Sequence, residues 1–165
     1  MTDKYLAIEK ILIILKETPP RLAKLTAGLE SAQLQNALSA AEWSVHDVFA
    51  HLRACADVWG DYYIMTILAE DHPIIKARNP RTWIKDTDYL EQEFQSSLRA
   101  FTKQRKKLLT VLEPLPAKDW ARTNTLIGAG RPLQQTLLSH ADGMARHERA
   151  HLKQIEHIIK AQSAL

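Results

Sequence analysis

Apolar residues recur along most of the chain at alternating steps of three and four, the period of an amphipathic helix. The first series is Tyr5, Ile8, Leu12 and Leu15. Pro19-Pro20 then predicts a kink or break, after which Leu22, Leu25 and Leu29 resume the pattern. A loop is expected from about Ser31 to Trp43. Ser44 reads as a helix N-cap, with Asp47 placed three residues later as in a capping box and with Trp43 and Val48 flanking it as a hydrophobic staple. Val48, Leu52, Cys55, Trp59, Tyr62 and Thr66 form the stripe of this second helix. Asn79-Pro80 signals a loop, and a third helix is expected from near Thr87, lined by Leu90, Phe94, Phe101, Leu108 and Leu112 and stopped by Pro114 and Pro116. The stretch from Pro114 to Arg131, with Gly128 and Gly130, reads as a long connection of the kind that is often functional or mobile. Pro132 fits the first turn of a fourth helix. There is no strong strand alternation and no internal repeat. The expected architecture is an all-α four-helix bundle, one domain over 1–165, with long inter-helix connections that permit crossovers.

Composition narrows the class. The 165 residues are 45% apolar and 25% charged, ordinary values that exclude wholesale disorder and suit one domain with a proper core. The single cysteine, Cys55, excludes an internal disulfide framework and a cysteine-based zinc knuckle, and it fits a reducing, cytoplasmic setting. The start, Met1-Thr2-Asp3-Lys4, lacks the layout of a secretory leader, and the longest apolar run, Ile11–Leu15, is too short to cross a bilayer. The net charge of +3 is modest. Its densest basic cluster, Lys103, Arg105, Lys106 and Lys107, points in several directions on a helix and reads as a solvated face, so no nucleic-acid partner is expected.

The fourth segment carries the chemistry. Its stripe runs Leu133, Leu137, His140, Met144, His147, His151, Ile155 and Ile158, so three histidines occupy positions that should be apolar. A buried imidazole needs a partner for each ring nitrogen. Several on one stripe call for a common explanation, and a divalent metal ion supplies one. His147 and His151 are one helical turn apart and can ligate the same ion. Two ligands make a weak site, and His51 on the second helix, roughly 60° from the centre of its stripe, can supply the third. Three protein ligands leave open positions, as in a catalytic site. The plainer alternative makes these histidines satisfied core or rim residues. His140, about 10 Å up the helix from His147, suits a supporting partner or a pocket wall better than a fourth ligand. Cys55 faces inward four residues after His51 and reads as buried, with thiolate ligation as the alternative. His46, His72 and His157 read as surface or loop histidines, and Asp47 as a cap.

Residues 147–151 also spell His-Glu-Arg-Ala-His, the zinc-protease pattern. His157 stands where a metzincin has its third histidine, but Gln154 replaces the glycine that turns the chain back. On a continuing helix His157 points roughly 120° away from His151. The protease reading therefore fails. Glu148 could still act as a general base toward water at the metal, while its plainer reading is a solvated acid beside Arg149 or a neighbouring lysine.

Trp43-Ser44 followed by His51-Leu52, and Gly130-Arg131-Pro132-Leu133 through His147-Glu148-Arg149-Ala150-His151-Leu152-Lys153-Gln154-Ile155, resemble in order and separation the DinB-like family, related to the YfiT-like metal-dependent hydrolases. The likeness covers nearly the whole chain. It implies a four-helix bundle with a three-histidine site on His51, His147 and His151, the same residues that the spacing selects. It further implies zinc or nickel, a homodimer, and in some relatives S-transfer or isomerisation with a low-molecular-weight thiol such as bacillithiol, mycothiol or glutathione. Glu148 stands where many relatives carry aspartate. The expected function is a metal-dependent thiol S-transferase or hydrolase acting on a small molecule. The alternatives are a metal- or small-ligand-binding stress-response module without turnover, and a purely structural or interaction bundle.

Overall fold

The computed structural model describes residues 4–165, so the leader reading of Met1–Asp3 lies outside the described residues. Helix α1 spans Ile8–Thr26, and the short α2 spans Ser31–Gln35. Helix α3, Val45–Cys55, continues without a break into a π-helical stretch, Ala56–Ile64, and then α4, Met65–Ala69. Strand β1, Ile74–Lys76, leads to α5, Pro80–Trp83, and a 3-10 turn, Ile84–Asp86. Helix α6, Phe94–Leu112, is followed by α7, Ala117–Trp120, strands β2, Thr123–Ile127, and β3, Leu133–Thr136, and the long α8, Leu137–Ser163.

Four helical rods, α1, α3 through α4, α6 and α8, form the bundle. Helix α1 packs on α6 and α8, and α3 packs on α8. Phe49 of α3 reaches α6, tilted against Phe94 at 5.0 Å and edge-on to Phe101 at 5.5 Å between ring centroids. Ile11, Leu15, Leu22, Leu52, Leu112 and Leu137 are fully enclosed between the rods. Ile11 and Ile14 are buried while Ile8 and Leu12 sit at the rim, so the buried face of α1 is rotated from the stripe expected there. Among the described residues no helix is long and apolar enough to cross a membrane.

The start of α3 is as the sequence predicts. Ser44 Oγ accepts from the Asp47 N–H at 3.1 Å, and Asp47 Oδ2 accepts from the Ser44 N–H at 3.0 Å. The proline pair behaves differently from expectation: Pro19 and Pro20 lie inside an unbroken α1. Pro19 has no N–H for the carbonyl of Leu15, four residues back. The buried guanidinium of Arg105, on α6, donates to that carbonyl instead, at 2.9 Å. Arg105 therefore does not belong to a solvated basic face; only its neighbours Lys103, Lys106 and Lys107 are exposed.

The connections hold structure that the sequence reading misses. The expected loop after Ser31 contains α2, closed by its own capping box between Glu30 and Gln33. The third helix begins at Phe94 rather than near Thr87, because Glu93 serves as its cap and accepts from the Ser96 N–H at 2.6 Å. Leu90 is consequently exposed and outside the helix. The fold is not strictly all-α: β1 pairs parallel to β2 and β2 antiparallel to β3, in the order β1-β2-β3. Gly128 and Gly130, at φ 91° and 88°, allow the β2–β3 turn, a left-handed conformation that a Cβ opposes. Pro132 precedes β3, so it does not open the fourth helix; Thr136 caps α8, its Oγ1 accepting from the Ser139 N–H at 3.0 Å.

Candidate metal centre

Helix α3 carries His51 two turns from its cap, and α8 carries His147 and His151 one turn apart on the side packed against α3. Their Nε2 atoms converge. His147 Nε2 lies 3.2 Å from His51 Nε2 and 3.0 Å from His151 Nε2. One ligand atom from each of the three lies within 4.8 Å of the others, the grouping expected of a metal site.

The donor set fits a cation. Gln154 Oε1 lies 2.7 Å from His151 Nδ1; an amide oxygen only accepts, so Nδ1 carries the proton and Nε2 presents its lone pair to the cluster. A single N–H on His147 Nε2 can satisfy only one of the two short contacts it makes. A cation at the centre satisfies all three lone pairs together. Imidazole nitrogens about 2.0–2.1 Å from one ion, at angles between octahedral and tetrahedral, are about 2.9–3.4 Å apart, which matches the spacings observed. Burial, reinforced by the neighbouring His151 and Arg81, lowers the pKa of His51 and of His147 to about 4, so both are neutral and ready to ligate at pH 7.

Aromatic rings fix this geometry. Trp43 stacks beside His151 at 20° between planes and tilts against His51, with centroids 6.5 and 5.1 Å away. Trp59 meets His147 edge-on at 4.8 Å. The π-helical stretch carries Trp59, and widened turns of this kind re-aim side chains at functional sites. In the same stretch, Asp57 accepts from Trp83 Nε1, the Tyr89 hydroxyl and Gln104 Nε2 at 3.0, 2.6 and 2.8 Å, tying the rod to α5 and α6. A cavity of about 390 Å³ opens on His151 and Gln154, another of about 340 Å³ opens on His51, and Trp43 and Arg81 border both.

The remaining candidates separate cleanly. Cys55 Sγ lies 3.5 Å from His51 Nε2 but outside the converging set, and burial, with Glu148 adding, pushes its pKa up to about 12. It remains a protonated thiol. His140 is buried, with Nε2 3.0 Å from Asn124 Oδ1, and lines a cavity that none of the trio borders, as expected of a pocket wall. His72 and His157 are exposed, whereas His46 is buried with Nε2 2.9 Å from the Leu90 carbonyl, against the surface reading. Glu148 is not the solvated acid of its plainer reading. It is 2% exposed, and its two oxygens accept from Arg105 Nη1 and Nη2 at 2.8 and 2.6 Å. Held in that bidentate pair, its carboxylate is not solvated, and both of its oxygens are engaged. Gln154, at 2.7 Å from His151 Nδ1, is the contact of the trio that sequence reasoning passes over. Its signal is its position three residues after His151, on the same helix face.

This is a helical bundle in which three histidines from two rods meet at one point, a cluster that fits a metal site. The family profile of the DinB superfamily matches residues 14–155, and the chain belongs to that superfamily. No curated protein matches it. Among solved structures it is similar to YfiT from Bacillus subtilis, described as a probable metal-dependent hydrolase with an unusual four-helix bundle topology. The two share 17% identity at a TM-score of 0.80, over 99% of this chain and 93% of YfiT.

Proposed function

We propose that the chain is a divalent-metal-dependent enzyme that joins a low-molecular-weight thiol to a small electrophile, with His51, His147 and His151 holding zinc or nickel. The convergence of the three Nε2 atoms, at 3.0 and 3.2 Å, carries this reading. A divalent ion there supplies Lewis acidity toward a thiol, a water or a carbonyl. Among the described residues no carboxylate hydrogen-bonds to the trio, and the acid nearest in sequence, Glu148, is engaged by Arg105. Activating water asks for a base more than activating a thiol does, because a thiol ionises near pH 8.5 and bulk water near 15.7. That difference favours S-transfer over hydrolysis. It also supports a second reading, binding of metal and ligand without turnover. A homodimer belongs to the proposal on the family likeness alone, and light scattering on the eluted protein tests it.

The test begins with elemental mass spectrometry on the purified, tag-free chain beside a His147→Ala/His151→Ala variant. We expect near-stoichiometric zinc or nickel in the parent and loss in the variant. A parent that takes up no divalent metal after incubation sinks the proposal. The loaded protein is then offered electrophiles with common thiols, and esters without them. Conjugation supports S-transfer, ester cleavage alone shifts the reading to a hydrolase, and neither leaves the binding module.

A further inference from the structure

A cavity of about 470 Å³, a size that suits a small ligand, shares Trp59 with the surroundings of His147. Its lining includes Trp59, Tyr63, Arg78, Asn79, Gln135 and His140, and no acidic residue. Arg78 is half-buried, and its guanidinium carbon sits 4.1 Å from the ring centroid of Tyr62 and 4.5 Å from that of Trp83. Its backbone is fixed as well: the Arg78 N–H donates to the Tyr63 hydroxyl at 2.8 Å, and that hydroxyl donates to the Arg78 carbonyl at 3.2 Å. Among the described residues no ion pair includes Arg78, and its guanidinium makes no hydrogen bond. Asp57, the acid that holds Trp83, is occupied by three other donors. Two amide groups at this end are also unmatched, Gln135 Oε1 and, behind His140, Asn124 Nδ2; both are buried without a partner.

An arginine immobilised between two rings, drawn partly out of water and left without a counter-charge, presents its donor fork ready-made. Gln135 Oε1, on the same lining and buried without a partner, is an acceptor that a hydroxyl on the ligand satisfies. We propose that this cavity binds a small organic anion, a carboxylate or phosphate, with Arg78 as its anchor. Trp59 is shared by the cavity and by the wall of His147, so a ligand held at Arg78 extends toward the trio. The anion's role as substrate rests on the proposed function; its binding does not.

The experiment titrates the full chain, metal-free and zinc-loaded, with acetate and with inorganic phosphate, following the indole N–H signal of Trp59 by NMR and assigning it through Trp59→Phe. We expect a saturable shift with at least one anion in the metal-free protein. Arg78→Gln should weaken that binding at least tenfold. Ala129→Phe, on the exposed lip, should do the same by filling the cavity without touching the arginine. Binding in the metal-free protein that Arg78→Gln abolishes supports the cavity even if the trio holds no metal. An anion that binds only the zinc-loaded protein, and equally well in Arg78→Gln, sits on the metal; it overturns the cavity while leaving the metal reading intact. No saturable shift with either anion overturns the proposal outright.

Discussion

Gln154 shows how one side chain sets the state of another. Its oxygen fixes the proton of His151 on Nδ1, leaving Nε2 as a ligand atom without competition from the other tautomer. Partners of this kind typically hold about 10- to 100-fold of a site's metal affinity. Gln154→Leu, which keeps the bulk and removes the acceptor, should weaken zinc binding by about that factor in competition with a chromogenic chelator, with little change in the melting of the metal-free protein. Gln154→Glu, which accepts more strongly, should preserve affinity. The histidines themselves are legible in the sequence because a stripe of threes and fours places them where only apolar residues belong. Gln154 and Glu148 are not, for opposite reasons: one is an ordinary helix-surface residue until its neighbour is known to be a ligand, and the other is an acid whose partner, Arg105, lies 43 positions away.

The elements are held to one another by polar groups that periodicity does not register. Arg105 of α6 accommodates the proline pair of α1 through the Leu15 carbonyl and grips Glu148 of α8, so one side chain joins three helices. Losing one partner of a buried pair leaves the other charge unmatched, at about 3–5 kcal/mol. Arg105→Met should therefore lower unfolding free energy by about that much in denaturant melts, and Arg105→Met/Glu148→Leu should recover a large part of it. The small sheet reaches α8 in the same way, through Asn124 and His140. Burial holds the pKa of His140 at about 4, below its unfolded value of 6.5. Between those two values the unfolded chain binds a proton that the folded chain does not, so this histidine makes stability fall as pH falls from 6.5 toward 4. At pH 5 its share is about 2 kcal/mol, and His140→Gln should flatten the stability–pH curve over that window. Strands of three to five residues give too short a signal to be read before the fold is known, even where, as in Ile74–Lys76 and Thr123–Ile127, most of their residues are β-branched.

At the scale of the molecule, the three-histidine cluster joins α3 to α8, with Nε2 atoms 3.0 and 3.2 Å apart. Leu52, Met144, Leu152 and Ile155 are buried around these rods, apolar contacts that do not involve an ion. The bundle should therefore fold metal-free, and the ion should act as a clamp on a formed structure rather than as the cause of folding. Mass action sets the size of the effect: free zinc at 100 times its dissociation constant adds about 2.7 kcal/mol. For a chain of this length each kcal/mol corresponds to about 2–4 °C, so saturating zinc should raise the melting temperature by roughly 5–11 °C and excess chelator should reverse it. The His147→Ala/His151→Ala variant should melt at the same temperature with zinc and with chelator. If the parent melts identically in both, the three nitrogens do not hold an ion, and their close approach must be satisfied by protons alone. If the metal-free parent is instead unfolded, α3 and α8 depend on the ion for their packing, and the apolar contacts between them are too weak to close the bundle without it.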